Sequence, residues 1–277
     1  MQDAFAYCAE LVREADRDRY LAALFAPAEL RGALHALYAF NIEVRRVRDV
    51  AREALPGEIR LQWWTEVIEG GRGEEAKANP VAAALLATIE RHGLAGGVLL
   101  DLIEAHRFDL YDEPMASLAA LEIYARQTSS ALFALSAQIL GADAGAAAMP
   151  AGIAETLTRL LHAFPLHAAR GQLYVPGEIL DRHEVTPQQI FAGQSLSGIN
   201  AALGELRDLA RRYLDAARGQ ISALPRAPLP AFLPLAPLRT SLDRLGRSDA
   251  FAPAEVSAWR RQWLIWRASR NPARIAG

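Results

Sequence analysis

Two histidines, an arginine and a tyrosine crowd one short apolar stretch of this chain. Residues 157–176 read LTRLLHAFPLHAARGQLYVP. Leu157, Leu160, Leu161 and Phe164 recur at the three-to-four spacing of a helix face. His162, His167, Arg170 and Tyr174 fall among them, and polar groups in a buried helix need either a partner or a ligand. Pro165 is expected to interrupt the helix, because proline lacks the N–H and crowds the carbonyl four residues back. The stretch reads as a site, or as what remains of one. The plainer reading is structural: satisfied core histidines holding a kink at Pro165, with Arg170 and Tyr174 tying down the turn before Pro176.

The other candidate chemistry lies at the ends. Cys8 is the sole cysteine, which excludes an intramolecular disulfide and suits a reducing compartment. With no His or Lys nearby to activate it, its thiol is expected to be inert. From Ala258 onward the chain carries Arg260, Arg261, Arg267, Arg270 and Arg274 and no acid. Trp259, Trp263 and Trp266 share one helical stripe there. Tryptophan interleaved with arginine suits an interfacial helix on anionic lipid. The competing reading has the tryptophans closing the core while the arginines face water.

Bulk properties narrow the classes further. A net charge of −2 gives no electrostatic footprint for nucleic acid. No apolar run reaches the roughly 18–20 residues needed to span a bilayer, and the first ten residues, with Asp3 and Glu10, do not read as a signal peptide. The expected location is cytoplasmic, with peripheral contact at the inner face of the membrane through the C-terminal Trp/Arg helix.

Helices must position these groups, since alternating strand patterns are nearly absent. Leu30, Leu34, Leu37, Asn41, Val44 and Arg48 mark one face of a helix over 28–52. Leu118, Leu121, Ala125, Thr128, Leu132, Leu135 and Ile139 form a near-heptad seam over 118–139, and Ile199 to Ile221 carries a third stripe. The pattern predicts an all-α chain of about ten helices. The proline-rich segment 225–237 contains Leu229, Phe232, Leu233 and Leu235, so it is expected to be an ordered crossover within a single domain spanning 1–277. Trp63 and Trp64 are adjacent, must cover different faces of a helix, and are read as core packing.

Four pieces in order carry a family resemblance: Tyr38-Ala39-Phe40, Arg60-Leu61-Gln62-Trp63-Trp64, Asn79-Pro80-Val81, and Arg170-Gly171-Gln172-Leu173-Tyr174-Val175-Pro176. The chain resembles the squalene/phytoene synthase family. The resemblance implies an isoprenoid (terpenoid) synthase-like helical bundle around a central apolar cavity. It also implies two aspartate-rich DxxxD motifs, which in active members gather magnesium to neutralise a diphosphate leaving group.

The sequence departs from both motifs. After Tyr38-Ala39-Phe40 the first pair of positions falls on Arg45 and Asp49. Before Arg170-Gly171 the second pair falls on Ala163 and His167. Four carboxylates become one carboxylate beside one guanidinium, and magnesium disfavours imidazole. Arg45 and Asp49, four apart, read either as an intrahelical ion pair or as ligand contacts. The best match is then the family's non-catalytic branch, which includes a mitochondrial assembly factor for respiratory complex I; His162-Ala163-Phe164-Pro165-Leu166-His167 and the Asn41-Ile42-Glu43-Val44 segment resemble it. By that resemblance the chain is a binding or assembly protein for a membrane complex, with no cofactor. Its pocket would be lined by Tyr38, Asn41, Arg45, Asp49, His162, His167, Arg170 and Tyr174, with an isoprenoid or quinone as candidate occupant. The alternative is a prenyl diphosphate-using transferase whose arginines, Arg170 among them, replace the metal; only that reading calls for magnesium.

Overall fold

The computed structural model describes residues 2–51 and 53–277. Among them seventeen α-helical segments appear, more than the ten read from the stripes, because several long stripes are cut by single turns. No strand forms among the described residues beyond an isolated bridge between Asp249 and Ala252.

The first half runs α1 (Gln2–Ala15), α2 (Arg17–Ala23), α3 (Ala28–Arg45), α4 (Val47–Val50), α5 (Ala54–Ile68), α6 (Gly73–Ala78), α7 (Pro80–His92) and α8 (Gly96–Arg107). Local chemistry sets the boundaries. Asp16 caps α2, its carboxylate accepting from the Arg19 N–H at 3.2 Å. Asn79 caps α7, accepting from Val81 and Ala82 N–H with Pro80 in the first turn, and Gly93 closes that helix at φ 59°. The helix expected over 28–52 ends at Arg45: Arg46, at φ −86° and ψ 5°, breaks it, and α4 restarts at Val47.

The second half runs α9 (Leu118–Ala125), a π-helical turn (Arg126–Ser130), α10 (Ala131–Ile139), α11 (Gly145–Ala169), α12 (Gly177–Arg182), α13 (Pro187–Phe191), α14 (Ser197–Ser222), α15 (Leu229–Phe232), α16 (Leu238–Leu245) and α17 (Ala258–Arg270). The seam over 118–139 is thus one rod with a π-bulge, which moves Thr128, Ser129 and Ser130 against α11. Gly152 of α11 permits that approach, since a Cβ there would fall on the Ser130 backbone. Pro165 does not interrupt α11, which runs unbroken past it to Ala169. The proline removes one N–H donor only four residues before the helix ends, and the packed length of α11 along α14 holds the rest.

Packing follows the stripes. α1 lies on α3 and α7, α3 on α10, and α5 on α8, while α11 and α14 share the most extensive helix–helix contact. The proline-rich crossover is ordered and buried: Phe232 stacks on Phe133 of α10 with centroids 5.5 Å apart. Trp64 is buried edge-on to Phe40, whereas Trp63 reaches the rim and donates to Glu75 at 3.2 Å. No helix among the described residues is long and apolar enough to cross a membrane.

Candidate functional site

Two cavities open inside the bundle and share a wall. The first, of about 450 Å³, lies between α2, α3, α11, α16 and α17; the second, of about 540 Å³, lies between α3, α4, α11 and the Arg170–Tyr174 turn. Ala15, Arg45 and Arg159 face both. Asn41, Arg45 and His162 line the first, and Arg45, Asp49, His167, Arg170 and Tyr174 line the second. Tyr38 stands one layer back, buried beneath the Arg19 guanidinium at 5.7 Å from its ring centroid.

The charged groups of the first cavity are only partly compensated. Arg19 is buried and bonds Glu155 at 2.6 Å and Asp16 at 3.0 Å. Arg261 of α17 pairs with Asp18. These pairs engage Asp16, Asp18 and Glu155. Arg45 and Arg159 have no ion-pair partner among the described residues, although both face the same space. Burial and the facing Arg159 lower the proton affinity of Arg45, while Asp16 pulls it back. For Arg159, burial acts downward but Tyr124, Asp109 and Glu155 outweigh it, so its affinity rises. His162 Nε2 and Ser241 Oγ, both lining this cavity, are buried without a hydrogen-bond partner.

The second cavity backs onto a fully bonded hub. Asp109 lies 2.6 Å from His106 Nδ1, accepts from Tyr174 Oη at 2.6 Å and from Tyr124 Oη at 3.0 Å, and its carbonyl accepts from Gln172 Nε2 at 2.9 Å. Burial alone would raise its pKa; the hydrogen bond and charge of His106, then Tyr174, reverse that and hold it below the ordinary carboxylate range. Burial and Asp109 together push the Tyr174 hydroxyl strongly up. Tyr174 therefore anchors the turn after α11. Arg170 does the same work from outside, donating to Asp49 at 2.7 Å. That contact stands in place of the expected intrahelical Arg45–Asp49 pair, which does not form among the described residues.

The histidines are not the satisfied pair expected. His162 Nε2 has no partner, and burial lowers its pKa. His167 packs on Tyr174 with centroids 4.6 Å apart, and burial, then Arg159, lowers it to about 4. Arg159 escaped the sequence reading, though it stands four residues after Glu155 and four before Ala163 on the same helix face.

Magnesium does not fit these residues. Arg45, Ala163 and His167 offer no oxygen ligand where the motifs would stand, and Asp49 is half-exposed and held by Arg170. Among the described residues no three His, Cys, Asp or Glu side chains are grouped to hold a metal ion. The apolar slot beside the cavities, lined by Leu157, Leu160, Leu161 and Phe164, encloses about 20 Å³. That is room for about one water molecule and not for an isoprenoid tail.

The C-terminal helix overturns the core-closing reading of its tryptophans. Trp259, Trp263 and Trp266 are 70%, 44% and 46% exposed, and only Ile265 and Ala268 of α17 are buried. Arg267 lies over Trp263 at 4.3 Å and Arg270 over Trp266 at 4.7 Å. The helix turns a ladder of rings and guanidiniums outward.

Known proteins share this architecture. The chain superposes on a dehydrosqualene synthase solved in complex with ligand, with a TM-score of 0.80 at 18% identity, covering 97% of this chain and 96% of the other. Complex I assembly factor 6 (NADH dehydrogenase (ubiquinone) complex I, assembly factor 6) from Rattus norvegicus is 31% identical over 250 residues, covering 89% of this chain and 75% of that one. A 15-cis-phytoene synthase from Synechocystis sp. is 24% identical over 241 residues, covering 82% and 71%. The squalene/phytoene synthase family model matches residues 12–267, and the chain belongs to that family.

Proposed function

We propose that this chain is a non-catalytic member of its family, a binding or assembly protein that works with a membrane respiratory complex. The observation that carries the reading is the remade metal site: Arg45, Ala163 and His167 stand at three of the four expected ligand positions, and Asp49, the fourth, is tied to Arg170. The likeness to complex I assembly factor 6 at 31% identity, over most of the chain, supports the assembly role. The chain acts as one unit over residues 1–277. It sits peripherally on the membrane through α17, whose exposed tryptophans and acid-free arginines suit the interface of an anionic leaflet.

Removing the chain from its host tests this. The assembly reading expects a loss of assembled NADH dehydrogenase activity with unchanged squalene and carotenoid products. Intact enzyme with altered prenyl products would favour the second reading, a prenyl diphosphate-using transferase. That alternative draws support from the 24% likeness to phytoene synthase and from the arginines facing the shared cavities.

A further inference from the structure

Three of the four most exposed large apolar side chains among the described residues lie between positions 50 and 59: Val50, Leu55 and Ile59, at 62%, 70% and 64%. The fourth, Trp259, belongs to α17. Leu55 and Ile59 stand one turn apart on α5 and share a face. Hydrogen bonds gather the neighbouring elements around them. Tyr111, 46% exposed, donates through Oη to Glu58 of α5 at 3.0 Å. Arg48 of α4 donates to the Leu110 carbonyl at 3.2 Å and to Asp112 at 2.9 Å, which ties the short helix carrying Val50 to the chain on either side of Tyr111. The helices α4 and α5 and the turn Phe108–Leu110 pack on one another. Single exposed apolar side chains are ordinary, but several gathered on one face mark a contact surface.

The charges around the patch narrow what covers it. Among the described residues most are cancelled within the chain: Arg48 by Asp112, Glu58 by Arg107, Arg60 by Glu43 and Asp49 by Arg170. Three exposed groups form no ion pair there: Arg46 before α4, Glu53 before α5, and Glu113 two residues beyond Tyr111. Carboxylates beside the apolar side chains disfavour an anionic leaflet, in contrast to the acid-free α17. A partner of one dominant charge would meet like charge somewhere on this rim. A second copy turned about a two-fold axis would not: it sets apolar side chains against their equals and offers each free charge both signs to choose from. An isologous interface needs that self-complementarity, and homodimer interfaces are more apolar than the remaining surface. We propose that Val50, Leu55, Ile59 and Tyr111 form a two-fold homodimer interface between copies of this chain. The pairing is independent of whether the chain turns over a prenyl substrate.

Sedimentation velocity of the full chain across a wide concentration range tests the interface. A monomer–dimer equilibrium is expected, weakened by about tenfold or more when Leu55→Glu and Ile59→Glu are combined. Both positions are exposed, so the Tm of the double variant should stay with the parent's, which separates lost association from lost folding. Ile59→Cys should join two copies through a short bis-maleimide, because equivalent residues face one another across the axis. Cys8 is buried and does not compete, and Ile123→Cys, exposed on α9, should give no such product. A chain that stays monomeric at every concentration, a dimer that the double variant leaves intact, or equal cross-linking through Ile123→Cys overturns the interface. Two monomeric outcomes name another occupant. Loss of co-flotation with phosphatidylglycerol vesicles in the double variant puts a membrane on this face. Loss of assembled NADH dehydrogenase in the host, with flotation intact, puts a partner protein there.

Discussion

Replacing Arg19 with methionine should cost this protein a large fraction of its stability. The guanidinium is buried and holds Glu155 at 2.6 Å and Asp16 at 3.0 Å, with both carboxylates close to solvent-inaccessible. Methionine fills similar volume, so little packing is lost, and the cost comes from two carboxylates left without their cation. Breaking a buried ion pair in this way costs about 3–5 kcal/mol. For a chain of this length that corresponds to a fall of roughly 10 °C in Tm. Urea unfolding followed by circular dichroism measures it. A triple variant, Arg19→Met with Asp16→Asn and Glu155→Gln, should recover most of the loss, because neutral amides need no counter-charge. A parent-like Tm, within about 1 kcal/mol of the wild-type stability, would refute the reasoning.

Three further outcomes follow from particular residues. His35 stacks on Tyr20 and is buried with Nε2 unpartnered, which lowers its pKa to about 4, burial acting first and Arg31 second. Because the unfolded chain takes up that proton near pH 6.5 and the folded one does not, stability is complete above pH 6.5. It falls by about 1.4 kcal/mol per pH unit for this residue until about pH 4. His35→Phe should reduce that slope in urea melts across the same window, leaving the part due to His167. Gly152→Ala should destabilise by about 3 kcal/mol, since the new methyl meets the Ser130 backbone rather than a mobile side chain. Trp259, Trp263 and Trp266 changed together to alanine should leave Tm within about 2 °C of the parent. The same variant should abolish co-flotation with phosphatidylglycerol vesicles, binding that in the parent weakens as salt rises.

How far the fold could be read from the sequence depended on whether a feature was local. Helical periodicity located α3, α11 and α14, since burial of one face leaves a repeating trace. It did not show that Arg46 breaks the helix, because no proline or glycine marks that position. The stop expected at Pro165 failed for the converse reason: a local breaker was outweighed by the tertiary contact of α11 with α14. The site divides along the same line. Arg45, Asp49 and His167 were legible by position in the motifs, yet their partners were not. Asp49 meets Arg170 from 121 residues away, and Tyr174 and His106 meet at Asp109, pairings that no spacing encodes. Arg159 was the recoverable omission: with Glu155 and Ala163 it marks one face of α11 at intervals of four. For the C-terminal tryptophans, composition offered two readings, and only burial decided between them.

Magnesium titration with farnesyl diphosphate tests whether the metal edges of the site are gone. The full chain should give no heat of magnesium binding above the buffer control, and no diphosphate should be released or apolar product formed at any magnesium concentration. Magnesium-dependent diphosphate release, abolished by Asp49→Asn, would contradict the account and make this chain a working synthase.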